Sequence, residues 1–159
     1  MKITVFCIGF LKESYWKDAV AEYQKRLGNY VSLDVVEIPD LPCPEKASAK
    51  EMEEIKDKEG RKVLAKLKPG DYLIALDLKG KQYESTAFAE HLQQKLVQNG
   101  ASVCFVIGGS LGLSDALLQR ANESVCFGLP TFPHQLARVM LLEQLYRSFR
   151  ILRNEPYHK

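Results

Sequence analysis

The sequence predicts an α/β domain with a mainly parallel sheet flanked by helices. Two observations point there. Short apolar runs recur at 3–8, 30–38, 72–78, 103–107 and 124–127. Segments with apolar residues at helical spacing separate them, which is the alternation of a parallel sheet with crossover helices. A length of 159 residues argues for one domain, 1–159, with no internal repeat. Such a chain buries roughly two-thirds of its unfolded surface, enough to hold together without disulfides or a structural metal.

Each element has its own signal. Ile3 to Ile8 reads as a buried strand. Trp16, Val20, Tyr23 and Leu27 follow at helical spacing, with Gly28 expected as a left-handed cap. Tyr30 to Ile38 is a second strand, closed by Pro39. Ser48 with Glu51 forms a capping box, opening a charged helix to about Leu67 anchored by Met52, Ile55, Leu64 and Leu67. Its mixed charges suggest a solvated face with pairs such as Glu54–Lys58 and Asp57–Arg61 rather than a basic nucleic-acid face. Pro69-Gly70-Asp71 turns into the strand Tyr72 to Leu78. Ser85 is expected to cap a helix through Phe88, Leu92 and Leu96, stopped at Asn99-Gly100. After the strand Val103 to Ile107 comes the loop Gly108-Gly109-Ser110-Leu111-Gly112, and Ser114 caps a short helix. Ser124 to Phe127 is a last strand, and Pro133 takes the first position of a long final helix.

Composition excludes some classes. Hydrophobic residues are 46% and charged residues 26%, an ordinary globular mix. No run approaches the roughly 18 apolar residues of a membrane span, and the N-terminus lacks a signal-peptide core, so a soluble cytoplasmic protein without a membrane partner is expected. Net charge is only +2, so any nucleic-acid surface must be local. Cys7, Cys43, Cys104 and Cys126 have no C-x-x-C spacing, which argues against metal and for free thiols in a reducing compartment.

The first strand runs into Gly9-Phe10-Leu11-Lys12 with one glycine, so the dinucleotide fingerprint of an oxidoreductase is missing. The Gly108 loop lacks the Lys-Ser/Thr of a phosphate-binding loop and reads equally as a tight turn or a ligand site. Asp77, at a strand's carboxyl end, is either a site residue or simply where the chain leaves the sheet. Phe127-Gly128-Leu129-Pro130-Thr131-Phe132-Pro133-His134 is a stiff loop running into a helix N-terminus, whose free amides suit adenine, carboxylate or phosphate. His134 reads first as a capping or core-edge residue. The last helix is apolar nearly all round, through Leu136, Val139, Met140, Leu141, Leu142, Leu145, Tyr146, Phe149 and Leu152, so a second subunit is expected to cover it. Glu143, Arg147 and Arg150 form a polar strip, with Arg138 pointing elsewhere.

Phe105-Val106-Ile107-Gly108-Gly109-Ser110, Thr131 to Arg138, Glu143-Gln144-Leu145-Tyr146-Arg147 and Pro156-Tyr157-His158 together resemble the ribosomal RNA large-subunit methyltransferase H family, small SPOUT methyltransferases. The resemblance spans the chain, including Leu11 to Trp16. It implies a homodimer with a C-terminal trefoil knot over about 70–159. It further implies an S-adenosylmethionine cofactor and methylation of N3 of a pseudouridine in 23S rRNA on the assembled ribosome. Carried over by position, the cofactor site falls on Leu76, Gly108, Phe127, Gly128, Leu129, Pro130, Thr131 and Phe132. Leu111 and Gly128-Leu129-Pro130 depart from the polar residues expected there, which bears on cofactor affinity. The catalytic candidates are His158, Tyr157 and Arg138. For the base the order is His158, a water positioned by the tail, then Glu143; Arg138 and Arg147 would steady negative charge or hold phosphate. Methylation of a different RNA base, and a non-catalytic ribosome-binding protein, are the alternatives.

Overall fold

A computed structural model describes residues 1–159. The strands are β1 (Lys2–Ile8), β2 (Ser32–Ile38), β3 (Tyr72–Lys81), β4 (Ser102–Ile107) and β5 (Glu123–Val125). The helices are α1 (Ser14–Leu27), α2 (Ala49–Leu64), α3 (Ser85–Gln98), α4 (Asp115–Arg120) and α5 (His134–Leu152). The five strands form one sheet in the order β2-β1-β4-β3-β5, and every neighbouring pair is parallel. All carboxyl ends therefore leave one edge, where open α/β sheets bind ligands.

Strand alternation builds two cores. Ile3, Val5, Cys7, Val103, Phe105 and Ile107 face one side, packed with Val20, Leu92, Leu141, Leu145 and Phe149 from α1, α3 and α5. Phe6, Ile8, Cys104 and Val106 face the other, with Val63 and Leu117 from α2 and α4. Burial pushes the Cys7 thiol up to about 12 and the Cys104 thiol up to about 11, so both behave as small hydrophobes. No helix is long and apolar enough to cross a membrane.

Several local expectations are corrected. Gly28 has φ −57°, so α1 ends without a left-handed residue; its N–H bonds to the Gln24 carbonyl. Ser85 is not a cap: Glu84 holds that position, and the Ser85 hydroxyl bonds to Gln144 of α5 instead. The capping box of Ser48 and Glu51 is present, but α2 ends at Leu64, and its fully buried residues are Glu59, Gly60 and Val63. Met52, Ile55, Leu64 and Leu67 are only half-buried. The ion pair on α2 is Lys56–Glu53, not Glu54–Lys58 or Asp57–Arg61. Pro133 is the N-cap of α5, one residue before the helix.

One irregularity shapes the functional edge. Val125 of β5 pairs with Leu76 and again with Lys81 of β3. The Cys126 N–H then donates to the Lys81 carbonyl at 3.0 Å. Residues 77–80 thus leave the ladder and return to the same strand.

Candidate functional site

A cleft of about 760 Å³ opens at the carboxyl edge of the sheet. Three segments make its walls: Leu76–Lys79 in the irregular second half of β3, Ile107–Leu113 from the end of β4 onward, and Val125–Gly128 with Pro130–Gln135 from the end of β5 onward. The sequence-derived residues Leu76, Gly108, Phe127, Gly128, Pro130, Thr131 and Phe132 meet in this one space. Leu129 does not line it; its side chain is 76% exposed.

Gly108 is required by a close approach, though of the chain to itself. A Cβ there would stand 2.7 Å from the Gly112 carbonyl carbon, so the glycine loop folds back on its own backbone. The Gly112 N–H closes it on the Gly109 carbonyl at 3.1 Å. Asp77 lines the cleft and accepts the Lys79 N–H at 3.3 Å. Asp115 adds a second carboxylate to the wall.

His134 enters the cleft from the first turn of α5, and its ring lies over Gly9 at the end of β1. Burial, then the charge of Arg138, lowers its pKa below the usual imidazole value. Arg138 is 1% exposed and lies beneath the cleft rather than in it. Its Nη1 donates to Glu37 Oε2 at 2.9 Å and its Nη2 to the Gly9 carbonyl at 3.0 Å.

The tail is folded back onto α5. The Tyr157 hydroxyl donates to Glu143 Oε1 at 3.0 Å, and Arg147 Nη2 donates to the same oxygen at 2.6 Å. Arg147 lies over the Tyr157 ring and donates to His158 Nδ1 at 3.3 Å. Arg150 pairs with Glu155 at 2.7 Å and donates to the Pro156 carbonyl. The expected network around Glu143 therefore holds Arg147 and Tyr157, while Arg150 turns to Glu155. Burial and the adjacent Glu143 push Tyr157 up to about 12, so its hydroxyl stays a donor near neutral pH.

Tyr157 and His158 do not line the cleft. Glu143, which holds Tyr157, lines a second groove of about 350 Å³, with Tyr23, Tyr83, Phe88, Val139 and Gln144. Val125, Cys126, Phe127 and Met140 wall both spaces. Sequence reasoning missed this groove and the Arg138–Glu37 pair. Val139 and Met140, apolar positions on a helix apolar nearly all round, were the available signal for the groove.

The fold is shared with a probable methylase family protein from Haemophilus influenzae Rd KW20. The likeness covers 99% of this chain and 70% of that one, with a TM-score of 0.56 and 14% identity. A family model described as "Predicted SPOUT methyltransferase" matches residues 1–158. The chain is also 55% identical to the ribosomal RNA large subunit methyltransferase H of Clostridium acetobutylicum, over the full length of both. It belongs to the SPOUT methyltransferases and, within them, to the ribosomal RNA large subunit methyltransferase H family.

Proposed function

We propose that this protein transfers a methyl group from S-adenosylmethionine to N3 of a pseudouridine in 23S rRNA of the assembled ribosome, in the cytoplasm. The observation that carries the reading is the convergence of Leu76, Gly108 and the 127–132 loop on one cleft in a chain 55% identical to an rRNA methyltransferase.

The cleft fits the cofactor. Its volume lies in the range of small-molecule sites. Leu76, Leu111, Phe127 and Phe132 offer apolar walls for an adenine, and Asp77 and Asp115 offer negative charge to a cation. Burial and the charge of Arg138 disfavour the charged form of the half-buried His134 imidazole, which suits a site for a sulfonium. When bound, the cofactor supplies an electrophilic methyl group.

The chain's own residues then orient the base and move a proton. Ring N3 must lose its proton as it accepts the methyl, so an acceptor within hydrogen-bond reach is needed. His158 is that acceptor, and Tyr157 stacks on or hydrogen-bonds the base. Arg147 stands beside both and steadies developing negative charge. Arg138, buried against Glu37, acts by holding α5 to the ends of β1 and β2.

The tail, held by Glu143 beside the groove and away from its own chain's cleft, is assigned in this reading to the cleft of a second subunit. The half-buried Val139 and Met140 support a homodimer packed through α5. Membership of the SPOUT family supports a trefoil knot over about 70–159, within a single domain. Mass spectrometry of rRNA from a strain lacking this gene, with and without the chain restored, tests the function. 3-Methylpseudouridine should vanish and return; its persistence without the chain would refute the reading.

A further inference from the structure

Helix α2 carries a buried acid that the chemistry above does not use. Glu59 is 3% exposed, and its charged neighbours are one of each sign, Asp40 and Lys62. The Lys62 ammonium turns to the Pro39 carbonyl at 3.4 Å and not to the carboxylate. Glu59 Oε2 accepts the Leu41 N–H at 3.0 Å. A buried carboxylate without a cation works against folding. A glutamine would accept the same N–H without that cost, so the hydrogen bond does not account for the charge.

Its position does. Oε2 stands behind the glycine loop, where a Cβ at Gly109 would be 3.8 Å away. Gly109 lines the cleft and Glu59 does not, so the loop is what stands between the carboxylate and the cleft. The packing fixes it there. At the next residue, Gly60, a Cβ would collide with Oγ of Ser114, the buried N-cap of α4. Helix α2 is thereby seated against the segment that follows the loop.

The other acids at the cleft are placed differently. Asp115 is exposed and Asp77 is half-buried, so water screens both. Glu59 lies where its field is screened least, and that field acts on charge. Methyl transfer leaves the bonding pair on sulfur, so a cationic sulfonium becomes a neutral thioether. The two forms of the cofactor differ in the property that this carboxylate reads.

We propose that Glu59 is a specificity-determining residue whose carboxylate, acting through the glycine loop, favours S-adenosylmethionine over its demethylated product S-adenosylhomocysteine. The proposal rests on the reading of the cleft as the cofactor site. It gives the buried charge a use that offsets its cost to the fold, because the spent cofactor is held less tightly than the fresh one.

The test is calorimetric titration of the full-length protein with S-adenosylmethionine and, separately, with S-adenosylhomocysteine. Glu59→Gln keeps the acceptor for Leu41 and removes the charge. It should weaken S-adenosylmethionine binding by roughly tenfold, the effect of one unit charge acting across several ångströms of protein. S-adenosylhomocysteine binding should hold. Glu54→Gln removes an equal charge from the exposed side of α2 and should change neither affinity. Equal losses for both ligands in Glu59→Gln would make Glu59 a support for the loop only, and no loss for either would show that its charge is not felt in the cleft. Either result overturns the proposal. Wild-type protein that binds neither ligand would instead sink the cofactor reading itself, which a loss confined to the variant does not.

Discussion

The Tyr157 hydroxyl donates to the Glu143 carboxylate over 3.0 Å, fastening the chain's last residues to the middle of α5. The tail is thus a built part of the structure, and it is held against the groove rather than the cleft. Cofactor binding and substrate chemistry should therefore separate on mutation. Removing 157–159 should leave folding and S-adenosylmethionine affinity nearly intact. Methylation of ribosomes should fall by at least roughly a hundredfold if general-base work is lost. Calorimetry and a turnover assay on the same preparation check this.

Tyr157 also makes a prediction about pH. Its pKa in the fold is raised from 10.0 to about 12, by burial first and Glu143 next. The folded protein then binds more protons than the unfolded chain between those values. The stability involved is present below about pH 10 and is lost as pH rises toward 12. Tyr157→Phe should flatten that alkaline decline, as read by denaturant unfolding at several pH values.

Glu59 gives the same sign in the acid range. It is 3% exposed and has no cation partner; its Oε2 accepts only the Leu41 N–H, at 3.0 Å. Burial raises its pKa above 4.5, so its contribution is most favourable below about pH 4.5 and falls as pH rises through the raised value. Glu59→Gln keeps an acceptor for Leu41 and removes the charge. It should stabilise the protein near pH 7 by about 1 kcal/mol and lose that advantage in acid.

Two members of the carried-over cofactor set should respond differently. Gly108→Ala forces a Cβ against the Gly112 backbone, so it should cost about 1–3 kcal/mol of stability and weaken cofactor binding. Leu129→Ala alters an exposed side chain outside the cleft and should change neither by much. Calorimetric titration of both variants decides.

Dissociation of the proposed dimer should follow from Val139→Glu, which places a charge on the half-buried face of α5 that lines the groove. Light scattering should then report the mass of a monomer that is still folded. Leu141 and Leu145 are poor choices for this test, because both are 0% exposed within the subunit and their replacement would unfold it.

What the sequence revealed follows the range of the interactions. Strand and helix alternation was legible because periodicity is local, and so was the capping box of Ser48 and Glu51. The strand order was not, because nothing local places β4 between β1 and β3. Gly28 and Ser85 misled because a residue type suited to a cap was taken by a different local geometry or a distant partner. The cofactor residues came from resemblance and do meet in space, apart from Leu129. Arg138 and Glu37 lie 101 residues apart, so their pairing left no pattern to read. Glu59 was hidden in a run of charges, most of which are exposed or only half-buried.

The most direct test of the function is methyl transfer by the purified protein. Ribosomes from a strain lacking it are incubated with S-adenosylmethionine carrying an isotopically labelled methyl group, and the 23S rRNA is digested to nucleosides for mass spectrometry. The expected product is a single labelled nucleoside, 3-methylpseudouridine, reduced by at least roughly a hundredfold when 157–159 are removed. Label in another nucleoside, or none with intact protein, would contradict the account.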